Sequence, residues 1–157
     1  MPVKTLVVGL GNPILGDDGA GWKVAQDVES RLQGRTAVSV ECLSLGGLSL
    51  MERLIGYDRA IIVDAFCSDR PAGTVFCLDL AELPNYSSFH TSSAHDTSLQ
   101  SALALGRALG AHLPKQVKVV GLAVCRRYEF SENLTPEVGA AVPGAVRAVL
   151  NLIDEMA

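Results

Sequence analysis

Val3 to Gly9 reads VKTLVVG, a β-branched and aliphatic run closed by glycine. Continuous apolar character of this kind marks a strand buried on both faces of a parallel sheet. The next residues are Gly9-Leu10-Gly11-Asn12-Pro13-Ile14-Leu15-Gly16-Asp17-Asp18-Gly19-Ala20-Gly21. From Gly19 to about Gln33, Val24, Val28 and Leu32 recur every four residues, which predicts a helix that Asp17 or Asp18 can cap. Strand, glycine-rich turn and helix make a βα unit.

The alternation continues outward from that unit. Ala37 to Leu43 reads as a strand, Leu48 to Ile55 as a short helix after the Gly46-Gly47 turn, and Ala60 to Ala65 as a third strand. Thr74 to Leu80, entered through Pro71-Ala72-Gly73, reads as a strand at an edge of the sheet and a candidate for antiparallel pairing. Residues 81 to 93 read as loop. Ser93 precedes Asp96 in a capping-box pattern, and His95, Leu99, Leu103 and Leu109 have helical spacing. Val117 to Val124 is the last strand. Thr135-Pro136-Glu137 starts a final helix along Val138, Val142, Val146, Val149 and Ile153, with a kink expected at Pro143-Gly144.

Alternating strands and helices imply a three-layer α/β/α sandwich, phosphorylase/hydrolase-like, around a mostly parallel, mixed sheet of about five strands. At 157 residues, 48% of them hydrophobic, residues 1–157 are expected to form one domain with one core. A formal charge of −4 without like-charge blocks offers no basic face for nucleic acid and no polybasic membrane anchor. No signal-peptide core or membrane-length apolar run is present, so a cytoplasmic monomer is expected. Cys42, Cys67, Cys77 and Cys125 lack CxxC spacing; Cys42, Cys77 and Cys125 lie in apolar runs and read as small core residues.

Sheets of this kind bind ligands at the carboxyl ends of their strands. A dinucleotide fingerprint would need glycine at position 14, which is Ile14. Gly11 and Gly16 have P-loop spacing, but Asp17-Asp18 stands where a lysine and a hydroxyl belong, and two carboxylates repel phosphate. Ionised carboxylates suit a cation instead, or can activate water. The plainer reading is a helix cap and a first-turn acid.

Asp64 ends Ile61-Ile62-Val63, also at a strand's carboxyl end, where an unpartnered charge is expensive. A loop-bracing role competes evenly with a chemical one. His95 comes from a third segment. Two carboxylates and one imidazole converging from separate loops make a candidate open transition-metal site. His90, in a serine-rich loop, and His112, before Pro114, are weaker candidates. Ser44, Ser68 and Ser98 lack a GxSxG elbow, and Cys67 has no evident histidine base.

Taken together, GLGNPILGDDGAG after the first strand, VDA ending a later one, SSAHDTSL at a helix start and ENLTPEV before the last helix resemble the hydrogenase maturation protease family. The resemblance implies an endopeptidase that removes the C-terminal extension of a nickel-iron hydrogenase large-subunit precursor after nickel insertion. It further implies a metal-binding triad, here Asp18, Asp64 and His95, with Asp18 and Asp64 also catalytic by aspartic-type or metal-assisted chemistry. Asp17 is a substitute for Asp18. Nickel is then supplied by the substrate, and the free enzyme is metal-free. Gly46, Gly47 and Asp69 are candidate groove walls. Val124-Cys125-Arg126-Arg127-Tyr128 departs from the family's proline-containing turn, leaving substrate contacts there open.

The sequence also admits two rival readings. Val7-Val8-Gly9-Leu10-Gly11-Asn12-Pro13 also resembles the opening of peptidyl-tRNA hydrolases, but Asp17-Asp18-Gly19 replaces that family's Arg-His-Asn element, and the chain is acidic. The same triad would also serve a non-catalytic nickel-binding hydrogenase chaperone.

Overall fold

A computed structural model describes residues 2–83, 86, 97–125 and 129–156. The fully buried run becomes β1 (Thr5–Leu10). It lies in a five-stranded sheet with β2 (Val38–Leu43), β3 (Arg59–Cys67), β4 (Val75–Asp79) and β5 (Gln116–Val124), in the order β2-β1-β3-β5-β4. All neighbours run parallel except β4, which pairs antiparallel with β5 at the edge. The chain turns back there through Pro71-Ala72-Gly73. Because a tight turn cannot make a parallel crossover, β4 must reverse direction.

Helices α1 (Ala20–Arg31), α2 (Gly47–Leu54), α3 (Leu99–Ala108) and α4 (Pro136–Glu155) cover both faces. The period-2 alternation of strand side chains assigns the faces. Leu6, Val8, Leu10, Ala60 and Ile62 pack with α2 and α3, while Val7, Ile61 and Val63 pack with α1 and α4. These are the three layers. A central strand apolar at every position is what two covered faces require.

Several expected details differ. Neither Asp17 nor Asp18 caps α1: a one-turn 3-10 helix at Gly16–Gly19 precedes it, and its N-cap is Gly19. Ser93 and Asp96 lie outside the described residues; Ser98 caps α3, its hydroxyl accepting from the Ser101 N–H. The stretch expected to be loop opens with a short turn, Leu80–Glu82, closed by a capping box between Asp79 and Glu82. Helix α4 carries Pro143 inside it, with Ala145, Val146 and Val149 buried in the core beyond that proline. Among the described residues, no helix is long and apolar enough to cross a membrane.

The cysteines divide. Cys42 is half-buried, its Sγ 3.9 Å from the Trp22 carbonyl, and burial, followed by the Glu29 charge, raises its pKa. Cys77 and Cys125 are exposed, contrary to their apolar context, because β4 is an edge strand and Cys125 lies just past the end of β5. Cys67 is exposed as well.

Candidate active site

The first loop is built around glycines with no room for a side chain. Gly11 has φ +148°, and a β-carbon there would lie 2.0 Å from the Asp18 carbonyl oxygen. Its own N–H donates to the Leu43 carbonyl at 3.1 Å, and its carbonyl accepts from the Ser44 hydroxyl, stitching the loop to the end of β2. Gly21 lets α1 press onto the sheet: a β-carbon would lie 2.4 Å from the Leu10 carbonyl and 2.5 Å from that of Val63. The close helix–strand packing that a third fingerprint glycine supplies in dinucleotide folds is therefore present here, but at Gly21.

The adjacent aspartates have different partners. Both Asp17 carboxylate oxygens accept from Thr135, one from its N–H at 2.7 Å and the other from its hydroxyl at 2.8 Å. Asp18 turns towards the loop's own start, where Oδ2 accepts the Asn12 N–H at 3.0 Å. The turn carrying Asp18 packs on β3. Asp17 is thus engaged with the segment before α4, and Asp18 with its own loop.

Asp64 lies on β3 one position beyond Val63, the partner of Gly9 at the end of β1, and opposite Gly121 of β5. It is fully buried. The Tyr86 hydroxyl donates to its Oδ2 at 2.5 Å. Burial, then the negative charge of Asp64 and this hydrogen bond, push the Tyr86 phenol well above its ordinary pKa, so it remains a donor. The Tyr86 ring packs against Phe66, which packs against Phe76 in the space left by the missing side chain of Gly121.

Tyr86 was not legible as a site residue. It stands in an aperiodic stretch, and its only sequence signal is an aromatic hydroxyl among small polar residues. Its carbonyl accepts the Leu99 N–H at 2.9 Å, which anchors it at the start of α3.

The turn carrying Asp18 and the β3 position of Asp64 accordingly both lie near the carboxyl end of β1. His95, the third expected member, and His90 lie outside the described residues, as do Arg126, Arg127 and Tyr128. Among the described residues, no three His, Cys, Asp or Glu side chains are grouped to hold a metal. His112 is at the opposite rim, with Nε2 2.8 Å from Asp58. Gly47 borders the segment before α3, its β-carbon position 2.6 Å from the Thr97 carbonyl, whereas Asp69 is an exposed loop residue.

A mixed-sheet α/β/α protein with two carboxylates at its carboxyl rim belongs to a class whose chemistry is carried by the loops after the strands. Comparison with known proteins narrows this. The chain belongs to the hydrogenase maturation protease family, whose model matches residues 23–152, and so stands among the endopeptidases of hydrogenase maturation. It is 31% identical to a putative hydrogenase maturation protease of Methanocaldococcus jannaschii, covering 96% of each chain. It is 29% identical to the hydrogenase 2 maturation protease of Escherichia coli, covering 98% of this chain and 92% of that one. The solved structure of the E. coli hydrogenase maturating endopeptidase HybD superposes with a TM-score of 0.79 at 27% identity, over 98% of this chain and 94% of that one.

Proposed function

We propose that this protein removes the C-terminal extension from the large-subunit precursor of a nickel-iron hydrogenase once nickel has been inserted. The observation that carries the reading is Asp64, a fully buried carboxylate in the carboxyl half of the central strand β3, level with the end of β1 from which the turn carrying Asp18 departs. Burying a carboxylate is costly unless it is hydrogen-bonded, and the Tyr86 hydroxyl supplies such a bond to Asp64. Family membership supplies the reaction class.

In this reading Asp18, Asp64 and His95 engage nickel that arrives held by the precursor. Carboxylate oxygens and imidazole nitrogen both suit such an ion, and no resident metal is needed. One carboxylate activates the water that attacks the scissile carbonyl, and a second acid protonates the departing amine. Tyr86 holds the Asp64 carboxylate from the protein side, fixing its orientation. Recognition of nickel makes metal insertion a checkpoint for cutting.

The test is incubation of purified protein with nickel-loaded and nickel-free precursor, followed by mass measurement of the large subunit. Only the loaded form is expected to shorten. Normal cutting by both Asp64→Asn and His95→Ala would refute the site assignment. Cutting of metal-free precursor would remove the checkpoint alone. An intact precursor that nevertheless binds the protein would favour a holding role over a protease.

A further inference from the structure

The Asp17–Thr135 contact spans 118 positions and joins the glycine-rich loop that carries Asp18 to the segment before α4. It does not act alone. The Gly16 N–H donates to the Ser131 carbonyl at 2.8 Å, and the Ser131 N–H donates to the Ile14 carbonyl at 2.9 Å, so the glycine-rich loop and the segment before α4 form a local bridge. Asp17 closes a second fastening four residues further along that segment.

The Thr135 hydroxyl is not occupied by the usual duty of its position. It is the N-cap of α4, yet its side chain makes no capping bond within its own helix. Instead its N–H and hydroxyl both donate to Asp17. One carboxylate thereby satisfies an orphan helix N–H and a hydroxyl on an element remote in sequence. A cavity of about 440 Å³ opens beside this junction, bordered by Asp17, Thr135, Pro136, Cys125 and Ala72.

We infer that Asp17 is a positioning residue: by gripping Thr135 it fixes the Gly16–Gly19 turn and so sets where the next residue, Asp18, presents its carboxylate. Asp17 and Asp18 are adjacent in the single turn Gly16–Gly19, so a contact that fixes the backbone at one restricts where the other can sit. From the other side, Gly11 abuts the Asp18 carbonyl, leaving the turn held between loop and helix. The inference rests on the proposed role of Asp18 in cutting.

The experiment measures single-turnover cleavage of nickel-loaded precursor over a range of enzyme concentrations, with thermal unfolding of each variant alongside. Asp17→Asn is expected to lower the maximal rate by about 10–100-fold, as misplacement of a reacting group by an ångström does, with little change in half-saturating concentration. Thr135→Val, which keeps the N–H but loses the hydroxyl, should show a smaller loss of the same kind, and Thr135→Ser should cut normally. The double variant Asp17→Asn/Thr135→Val should be no slower than the slower single variant, because both break one contact.

An unchanged maximal rate for Asp17→Asn, or a loss confined to half-saturation, overturns the inference provided Asp18→Asn is inactive. Should Asp17→Asn fail to fold, equal rates for Thr135→Val and Thr135→Ser overturn it instead. An Asp18→Asn variant that cuts normally defeats the underlying site reading, a result separable from both.

Discussion

Strand β3 has one aspartate just before it and another near its end, and the two live in different chemistry. Asp58, at the amino rim, is open to solvent; its carboxylate accepts the Lys4 N–H at 2.8 Å and lies 2.8 Å from His112 Nε2. The Lys4 hydrogen bond first, then that from His112, holds its pKa below the ordinary carboxylate range. Asp64, at the carboxyl rim, is sealed from water and receives a phenol hydroxyl. The first brings chain segments together where water shares the charge. The second is buried, so its hydrogen-bond partners cannot be exchanged for water.

The comparison breaks most sharply at activity. Asp64→Asn is expected to lower precursor cleavage by roughly 10²–10⁴-fold, the usual worth of a general acid or base, while Asp58→Asn leaves the rate unchanged. Equal rates for the two variants in a timed cleavage assay would erase the distinction between the rims. Next comes the loop that carries Asp18. Gly11→Ala places a methyl group 2.0 Å from the Asp18 carbonyl at a positive φ, so a loss of about 3 kcal/mol is expected in urea denaturation, together with lost cleavage.

Tyr86→Phe removes a donor from a buried carboxylate, at a cost of about 1–3 kcal/mol read from the same denaturation curves. A variant as stable as the parent would show that the phenol is dispensable to Asp64.

The smallest effect sharpens the amino rim. Because the folded-state pKa of Asp58 is depressed, its contribution is present above the ordinary carboxylate pKa of about 4 and is lost as pH falls through the lower folded value. Wild type and Asp58→Asn should differ in urea midpoint at pH 7 and converge towards pH 2. A constant gap across that range would mean that this carboxylate is not the titrating partner.

Much of the fold was legible because it follows from periodicity. β1, α1, α2 and β5 fall within a residue or two of their expected limits, since an apolar strand and a four-residue stripe are local signals. The antiparallel edge strand was legible from the short Pro71-Ala72-Gly73 turn. Cys77 and Cys125 were misread because apolar neighbours report that an element is covered, not which of its residues are. Asp18 was expected after the first strand and follows it, whereas Asp64, expected near the end of a strand closing at Ala65, lies within β3, which continues to Cys67. The separate partners of Asp17 and Asp18 were not legible, because two adjacent carboxylates are chemically alike until each has a partner.

Residue order by itself determined the βα alternation, the three layers and the rim where two acids gather, because these depend on hydrophobic period and on the geometry common to such sheets. Tertiary structure alone decided that Asp17 holds Thr135, that Tyr86 attends Asp64, and that His112 serves the opposite rim. The two sites' contacts join residues 118 and 22 positions apart, and the third joins residues 54 apart; hydrogen bonds over such separations leave no periodic trace in the chain, since they exist only once packing has brought the groups within reach.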